Sequence, residues 1–178
     1  MRTPATGGRR SGHRAREASA RESGMRWGRR PPGEEMPGRW RVIPHTADLA
    51  LAVTGESLED VLRAAALGLW SVSWDVRRVR PEGTWEITAE GRDAETLLVN
   101  FLNELIFRHE TGRVVWRELE RLAVEEGPGG GLRVRAVVKG ELLGPQHRLR
   151  REVKAATLHG LRVARRGGRL SARVVFDL

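Results

Sequence analysis

Two hard oxygen donors stand side by side at the end of the sequence. Asp177 supplies a carboxylate and Leu178 a chain-end oxygen, and both follow an alternating apolar run, residues 170–176, that is typical of a β-strand. Terminal residues usually fray, whereas here a strand would hold the acid in place. Another acid, Asp48, lies far upstream beside His45. Because Ca²⁺, Mg²⁺ and Mn²⁺ prefer carboxylate and main-chain oxygens, these residues predict a divalent-metal site if the first and last strands are neighbours.

Both acids also have a simpler interpretation. Asp48 lies in a polar connection, where an aspartate commonly accepts hydrogen bonds from its own backbone. Asp177 would then be a solvated acid at the chain end. The spacing does not decide between these interpretations and a metal site, because it does not show that the two acids meet.

Two histidines and a lysine are further candidates. His45 and His147 lie in predicted loops, where an imidazole can ligate a metal, carry a proton or form a surface hydrogen bond. Lys154 is one of only two lysines among 32 basic residues, so it stands out in a chain that otherwise uses arginine. A compact ammonium suits contact with a phosphate or a carboxylate cluster. The alternative is a solvated basic face shared with the arginines of residues 148–151.

Several functional classes are excluded by composition. The chain has no cysteine, which excludes disulfides, thiolate zinc sites and cysteine nucleophiles and is typical of a cytoplasmic protein. The glycine-rich run 127–131 lacks the Lys-Ser/Thr ending of a phosphate-binding loop and predicts a hairpin turn. No apolar stretch has the length needed to cross a bilayer, so we expect no membrane association.

The positive charge is concentrated at the N-terminus. Residues 1–38 hold nine arginines and four glutamates, which is +5 of a total net charge of +9. This segment is rich in Gly, Ser and Pro without apolar periodicity, and it predicts a disordered extension. It would be either a basic arm that binds RNA or a mis-assigned start, with translation beginning at Met25 or Met36. Residues 39–178 would form one folded domain.

The patterns within residues 39–178 predict an α+β domain. The predicted helices follow the caps Ser57 and Asp93 and end near Trp70 and Gly112. Predicted strands cover residues 40–43, 49–54, 85–89, 114–124, 132–139, 153–157 and 170–176, with a short helix as the alternative for 153–157. Two main helices packed on an antiparallel or mixed β-sheet give a two-layer domain.

The chain from about residue 40 to residue 178 resembles the archease family. The resemblance rests on motifs that occur in family order across the whole predicted domain: His45-Thr46-Ala47-Asp48, Leu97-Leu98, Asn103-Glu104-Leu105, Gly140-Glu141, His147, Val153-Lys154-Ala155-Ala156-Thr157-Leu158-His159 and Phe176-Asp177-Leu178. Two positions depart from the family pattern. Ala156 and Leu158 stand where a larger aliphatic and an aromatic residue are favoured, and these changes alter core volume rather than the proposed site.

The resemblance implies a non-catalytic partner of an enzyme. Archease-like proteins activate the RtcB-type tRNA-splicing RNA ligase, which uses GTP and Mn²⁺, by promoting its guanylylation and repeated turnover. By resemblance, Asp48, Asp177 and Leu178 would bind a divalent ion (Ca²⁺, Mg²⁺ or Mn²⁺), and Lys154 would be the functional cation near them. His45 and His147 are the other residues that we expect to contribute to ligase activation. The tRNA would be met only indirectly, through the ligase.

Two other functions compete with this one. A small metal-dependent phosphoester hydrolase would use the same acids, with His45 or His147 as the general base. An RNA-binding module would instead act through the basic N-terminal extension. These hypotheses differ in whether the chain works without a ligase and in whether residues 1–38 are required.

Overall fold

The computed structural model describes residues 38–44 and 49–178. The predicted extension and the loop His45–Asp48 lie outside the described residues, so the predicted domain boundary stays a prediction. The helices and strands are, in chain order, β1 Arg39–Pro44, β2 Leu49–Gly55, α1 Leu58–Ser73, β3 Gly83–Gly91, α2 Ala94–Gly112, β4 Val114–Glu126, β5 Leu132–Leu142, β6 Ala155–Thr157, β7 Ala164–Arg166 and β8 Arg169–Asp177. The predicted α+β class is confirmed.

The strands form two sheets rather than the single sheet that the sequence predicts. One sheet has the order β1-β2-β8-β6, with β7 also paired to β8, and the other has the order β3-β5-β4. All pairings between these strands are antiparallel. Each of the helices α1 and α2 contacts strands of both sheets, so each helix packs against more than one sheet. Alternation along a strand indicates which side chains are buried but not which strand is its partner.

Helix α1 begins at a capping box and packs closely on the first hairpin. The Ser57 hydroxyl accepts a hydrogen bond from the Asp60 N–H at 3.2 Å, and the Asp60 carboxylate accepts one from the Ser57 N–H at 3.0 Å. A Cβ on Gly68 would lie 2.9 Å from the Leu51 side chain, so a larger residue there would displace Leu51. None of the helices in the described part of the chain is long and apolar enough to cross a bilayer.

Strand β8 lies between two other strands where it nears its end. In the ladder with β2, Phe176 is paired with Leu49, and in the ladder with β6 it is paired with Ala156. The Phe176 side chain is fully buried, and burying an aromatic side chain of this size contributes about 1.5–3 kcal/mol. Asp177 and Leu178 therefore follow a residue that is held on both edges and by the core.

We expect Ser57→Ala to lower the free energy of unfolding by about 1 kcal/mol, because it leaves the Asp60 N–H without its capping partner. Urea denaturation monitored by circular dichroism measures this change. Ser57→Thr keeps a hydroxyl at the cap and should lie close to the unaltered protein. Equal losses in the two variants would contradict a capping role for the hydroxyl.

Candidate functional site

The structure brings three of the predicted site residues together at the end of β8. The Lys154 ammonium donates a hydrogen bond to the main-chain oxygen of Leu178 at 2.8 Å. The Lys154 N–H donates to the main-chain oxygen of Asp177 at 2.9 Å. Ala155, the next residue, pairs with Asp177 across the β6–β8 ladder. Residues 24 positions apart in the sequence thus form one exposed contact.

Asp177 has a carboxylate that a ligand can reach. Its side chain is exposed, and it makes no ion pair with any residue in 38–44 or 49–178. The Leu178 oxygen accepts one hydrogen bond from Lys154, and a carbonyl-type oxygen has a second lone pair. Across the described residues, no group of three or more His, Asp or Glu side chains is arranged to hold a metal ion. These two oxygens fit a hard cation, which would need further ligands from elsewhere.

Asp48 and His45 lie outside the described residues, so their meeting with Asp177 stays a prediction. The strands on either side of that loop are described: Pro44 ends β1, Leu49 begins β2, and the two residues are paired. Leu49 is also paired with Phe176, the residue before Asp177. Leu49, the first described residue after that loop, therefore lies beside the end of β8.

Asn103 holds the strand that precedes the site, a role that its sequence position did not reveal. Its amide nitrogen donates to the Ala156 oxygen at 3.1 Å, and its amide oxygen accepts from the Ala156 N–H at 2.7 Å. The side chain thus occupies the outer edge of β6, where a further strand would otherwise pair. The available signal was an amide next to the apolar stripe of α2, within one of the motifs shared with the archease family.

His147 lies in a buried cluster rather than on the surface. Its Nε2 lies 3.0 Å from a Glu141 carboxylate oxygen, and its Nδ1 accepts a hydrogen bond from the Gly144 N–H at 2.9 Å. Only 1 % of the imidazole is exposed. Because Nδ1 accepts, the ring proton belongs on Nε2, which donates to the carboxylate. Both ring nitrogens are therefore occupied, and a functional role for His147 in ligase activation stays a prediction.

The carboxylate of Glu141 is stabilised in its charged form. The backbone N–H of Arg80 donates to it at 2.6 Å, and the Arg80 guanidinium lies 3.5 Å away. The Arg80 N–H bond is the main cause that lowers the pKa of Glu141; burial opposes it, and the hydrogen bond from His147 lowers it further. The cluster fastens the loop around residue 144 to the end of β5. No hydrogen bond within the described residues joins it to Lys154 or Asp177.

Comparison with known proteins gives the family. Residues 40–178 match the model of the Archease protein family. The chain belongs to the archease family. It is 41 % identical over 142 residues to the archease of Methanopyrus kandleri, a match that covers 78 % of this chain and 99 % of that protein. It is 38 % identical over 142 residues to the archease of Thermococcus gammatolerans, covering 79 % and 99 %.

A solved structure supports the same assignment. The solution structure of Methanobacterium thermoautotrophicum protein 1598 is 28 % identical in sequence and superposes with a TM-score of 0.69, covering 81 % of this chain and 100 % of that one. The family resemblance inferred from the motifs is therefore confirmed. Membership of this family supports the expected role as an accessory protein.

We expect Asn103→Ala to destabilise the protein by roughly 1–3 kcal/mol, because it leaves two backbone groups of Ala156 without partners. Hydrogen exchange at the Ala156 amide should become at least ~10-fold faster. Asn100→Ala is the matched control, since Asn100 lies on the same helix and donates to the Glu90 oxygen instead. Unchanged exchange at Ala156 in the Asn103 variant would show that the amide does not hold β6.

We expect the stabilising effect of Glu141 to depend on pH. Since its pKa is lowered in the folded state, the ionised side chain contributes its full stability above the ordinary value of 4.5. That contribution is lost as the pH falls through the folded-state pKa. The difference in free energy of unfolding between the unaltered protein and Glu141→Gln, measured with urea, should therefore shrink below that pH.

Glu82→Gln is the control for this pH dependence. Glu82 pairs with the same Arg80 at 3.0 Å, but its side chain is 59 % exposed, so its removal should matter little at any pH. A stability difference for Glu141→Gln that is constant from pH 7 to pH 3 would contradict the assignment of a charged, hydrogen-bonded carboxylate.

Proposed function

We propose that this chain activates a GTP-dependent tRNA-splicing RNA ligase of the RtcB type by presenting a divalent cation at the end of β8. The observation that carries the proposal is the contact of Lys154 with the main-chain oxygens of Asp177 and Leu178. Those three residues were expected to act together, and membership of the archease family supports an accessory role. Promotion of ligase guanylylation is the activity that we assign to them.

The Asp177 carboxylate, the free lone pair of the Leu178 oxygen and the Asp48 carboxylate would hold the cation. A site with one or two carboxylates suits Mg²⁺ or Mn²⁺, which keep several waters and take further ligands from substrate phosphates. When bound, the ion supplies positive charge to phosphate oxygens and fixes their orientation. The exposure of Asp177 leaves room for a nucleotide phosphate or a ligase carboxylate to complete the coordination.

Lys154 would set the position and the charge of this site. Its ammonium has three donors, and only the bond to Leu178 is made within the described part of the chain. That bond restrains the main chain beside Asp177, and the remaining donors would be available to an anionic partner such as a phosphate. A compact ammonium also offsets the negative charge of the acids, so that an anionic substrate can approach.

The competing hydrolase hypothesis has less support. A general base needs a free lone pair within reach of a water molecule. His147 lacks one, because its Nδ1 accepts the Gly144 N–H and its Nε2–H faces Glu141. Only His45, outside the described residues, would remain for that role.

We expect Asp177→Asn, Asp48→Ala and Lys154→Ala to slow stimulated guanylylation of the ligase roughly 10–100-fold, the range that follows loss of groups at a metal site. The measurement is the single-turnover rate of GMP transfer to the ligase with Mg²⁺ or Mn²⁺ present. Glu152→Gln is the control, because it removes an exposed acid two residues from Lys154. All variants should keep the melting temperature of the unaltered protein.

Full stimulation by Asp177→Asn together with Lys154→Ala would refute the proposed role. Hydrolysis of a phosphoester by the isolated chain, lost in the Asp177 variant, would favour the hydrolase instead. Isothermal titration of Mn²⁺ into the isolated chain gives an independent measure of the cation site, and Asp177→Asn should weaken that binding.

A further inference from the structure

Two segments that the fold brings together carry a cluster of arginines. Residues 39–178 hold 23 basic and 19 acidic side chains, a net charge of +4. Two short segments, 75–78 and 148–152, hold five of the basic and two of the acidic residues, and so carry +3 of that charge. Residues 162–173 form a second basic stretch, with five arginines and no acid. We call the five residues of the two segments the arginine surface: Arg77, Arg78, Arg148, Arg150 and Arg151.

The fold joins these two segments although they are more than 70 residues apart. The Arg150 N–H donates to the Ser73 oxygen at 2.7 Å. An isolated β-bridge pairs Trp74 with Leu149. The Arg150 guanidinium lies 3.6 Å from the carboxylate of Asp75. The arginine surface is therefore built by tertiary structure and is more than a run of charges along the sequence.

One carboxylate, that of Asp75, forms ion pairs with three of these arginines. Asp75 lies 3.3 Å from Arg77, 3.9 Å from Arg78 and 3.6 Å from Arg150. Although burial raises the pKa of Asp75, the hydrogen bond from Arg77 and the charges of Arg77 and Arg150 hold that pKa below its ordinary value. A single charged acid thus orients three guanidiniums and leaves most of their charge uncompensated.

The remaining two arginines add to this excess. The side chains of Arg148 and Arg151 are exposed, and neither forms an ion pair or a hydrogen bond with another residue in 38–44 or 49–178. The Arg77 side chain is 84 % exposed. An anionic partner can therefore reach several guanidiniums at once.

We propose that the arginine surface binds the phosphate backbone of single-stranded RNA. Guanidinium forks match phosphate oxygens, and an RNA backbone offers such groups at regular intervals. The two segments contain no aromatic residue on which a base could stack, so recognition would be independent of base sequence. This inference rests on the proposed function, because a ligase activator works where RNA ends are joined.

The position of the surface fits that role. Lys154 lies three residues after Arg151, a separation of at most about 10 Å along an extended chain. A strand that crosses the arginine surface would therefore bring a nearby phosphate to the site at Lys154, Asp177 and Leu178. The accessory protein would hold an RNA end beside the ligase while it supplies its cation.

RNA affinity of the full chain tests this proposal. The probe is a fluorescein-labelled 20-nucleotide polyuridine, followed by anisotropy from 50 to 300 mM salt. The test variant carries Arg77→Gln, Arg148→Gln and Arg151→Gln. The control variant loses the same charge from scattered exposed positions outside both basic regions and carries Arg92→Gln, Arg113→Gln and Arg121→Gln. Both keep residues 1–38, so any contribution from the N-terminal arginines is constant.

If each of the three substituted arginines contacts one phosphate in the unaltered protein, the RNA affinity of the test variant should be about 100-fold lower at 0.1 M salt. The magnitude of the slope of log K against log salt should decrease by about 2. The control variant should stay close to the unaltered protein. Equal losses in both variants, or no RNA binding by the unaltered chain at 50 mM salt, would overturn the proposal. Matching thermal melts show that both variants fold.

Two further measurements distinguish this proposal from its alternatives. Poly-glutamate replaces RNA as the probe; if the test variant loses affinity for poly-glutamate but not for RNA, the surface is a protein-docking face and the proposal is wrong. Stimulation of ligase guanylylation without RNA should be unchanged in the test variant, whereas Asp177→Asn should lose it and keep RNA binding. The RNA measurement therefore stands even where ligase stimulation fails.

Discussion

The candidate site depends on the antiparallel pairing of β8 with a strand on each side. Phe176 is fully buried, and its backbone is paired with Leu49 of β2 and with Ala156 of β6. Fixing the backbone of one residue costs roughly 1–2 kcal/mol of conformational entropy, and the burial of Phe176 with two ladders offsets that cost close to the end of the strand. Asp177 therefore follows a firmly held backbone, and Lys154, the residue before β6, contacts its main-chain oxygen.

The support on the β6 side comes from helix α2. β6 has only three residues, and among the described strands its one partner is β8. Asn103 pairs with both backbone groups of Ala156, and Glu95 accepts a hydrogen bond from the Val163 N–H at 2.9 Å. Two polar side chains of one helix thus hold the segment that follows Lys154. These bonds connect α2 directly to the segment that carries the site.

The features predictable from the sequence were those with local causes. The caps Ser57 and Asp93 are present, because each accepts a hydrogen bond from the N–H only three residues away. The grouping of site residues came from the family motifs and not from spacing. Three features depend on contacts between segments that the sequence does not link: the division into two sheets, the hydrogen bonds of the Asn103 amide to Ala156, and the burial of His147 against Glu141. Single-sequence patterns carry no signal for such partners.

The charges of the domain are arranged so that attraction and repulsion act on the same ligand. Asp177 repels a polyanion, whereas Lys154, which contacts the main chain of Asp177 and Leu178, and the arginine surface attract it. Arg151 and Lys154 are at most about 10 Å apart along the chain, which is comparable with the Debye length at 0.1 M ionic strength, so their charges act on the same nearby phosphate at physiological salt. A divalent cation beside Asp177 would reverse the local sign of the charge. The acidic site and the arginine surface would then form one continuous surface that attracts phosphates, and this surface would form only when the cation is bound.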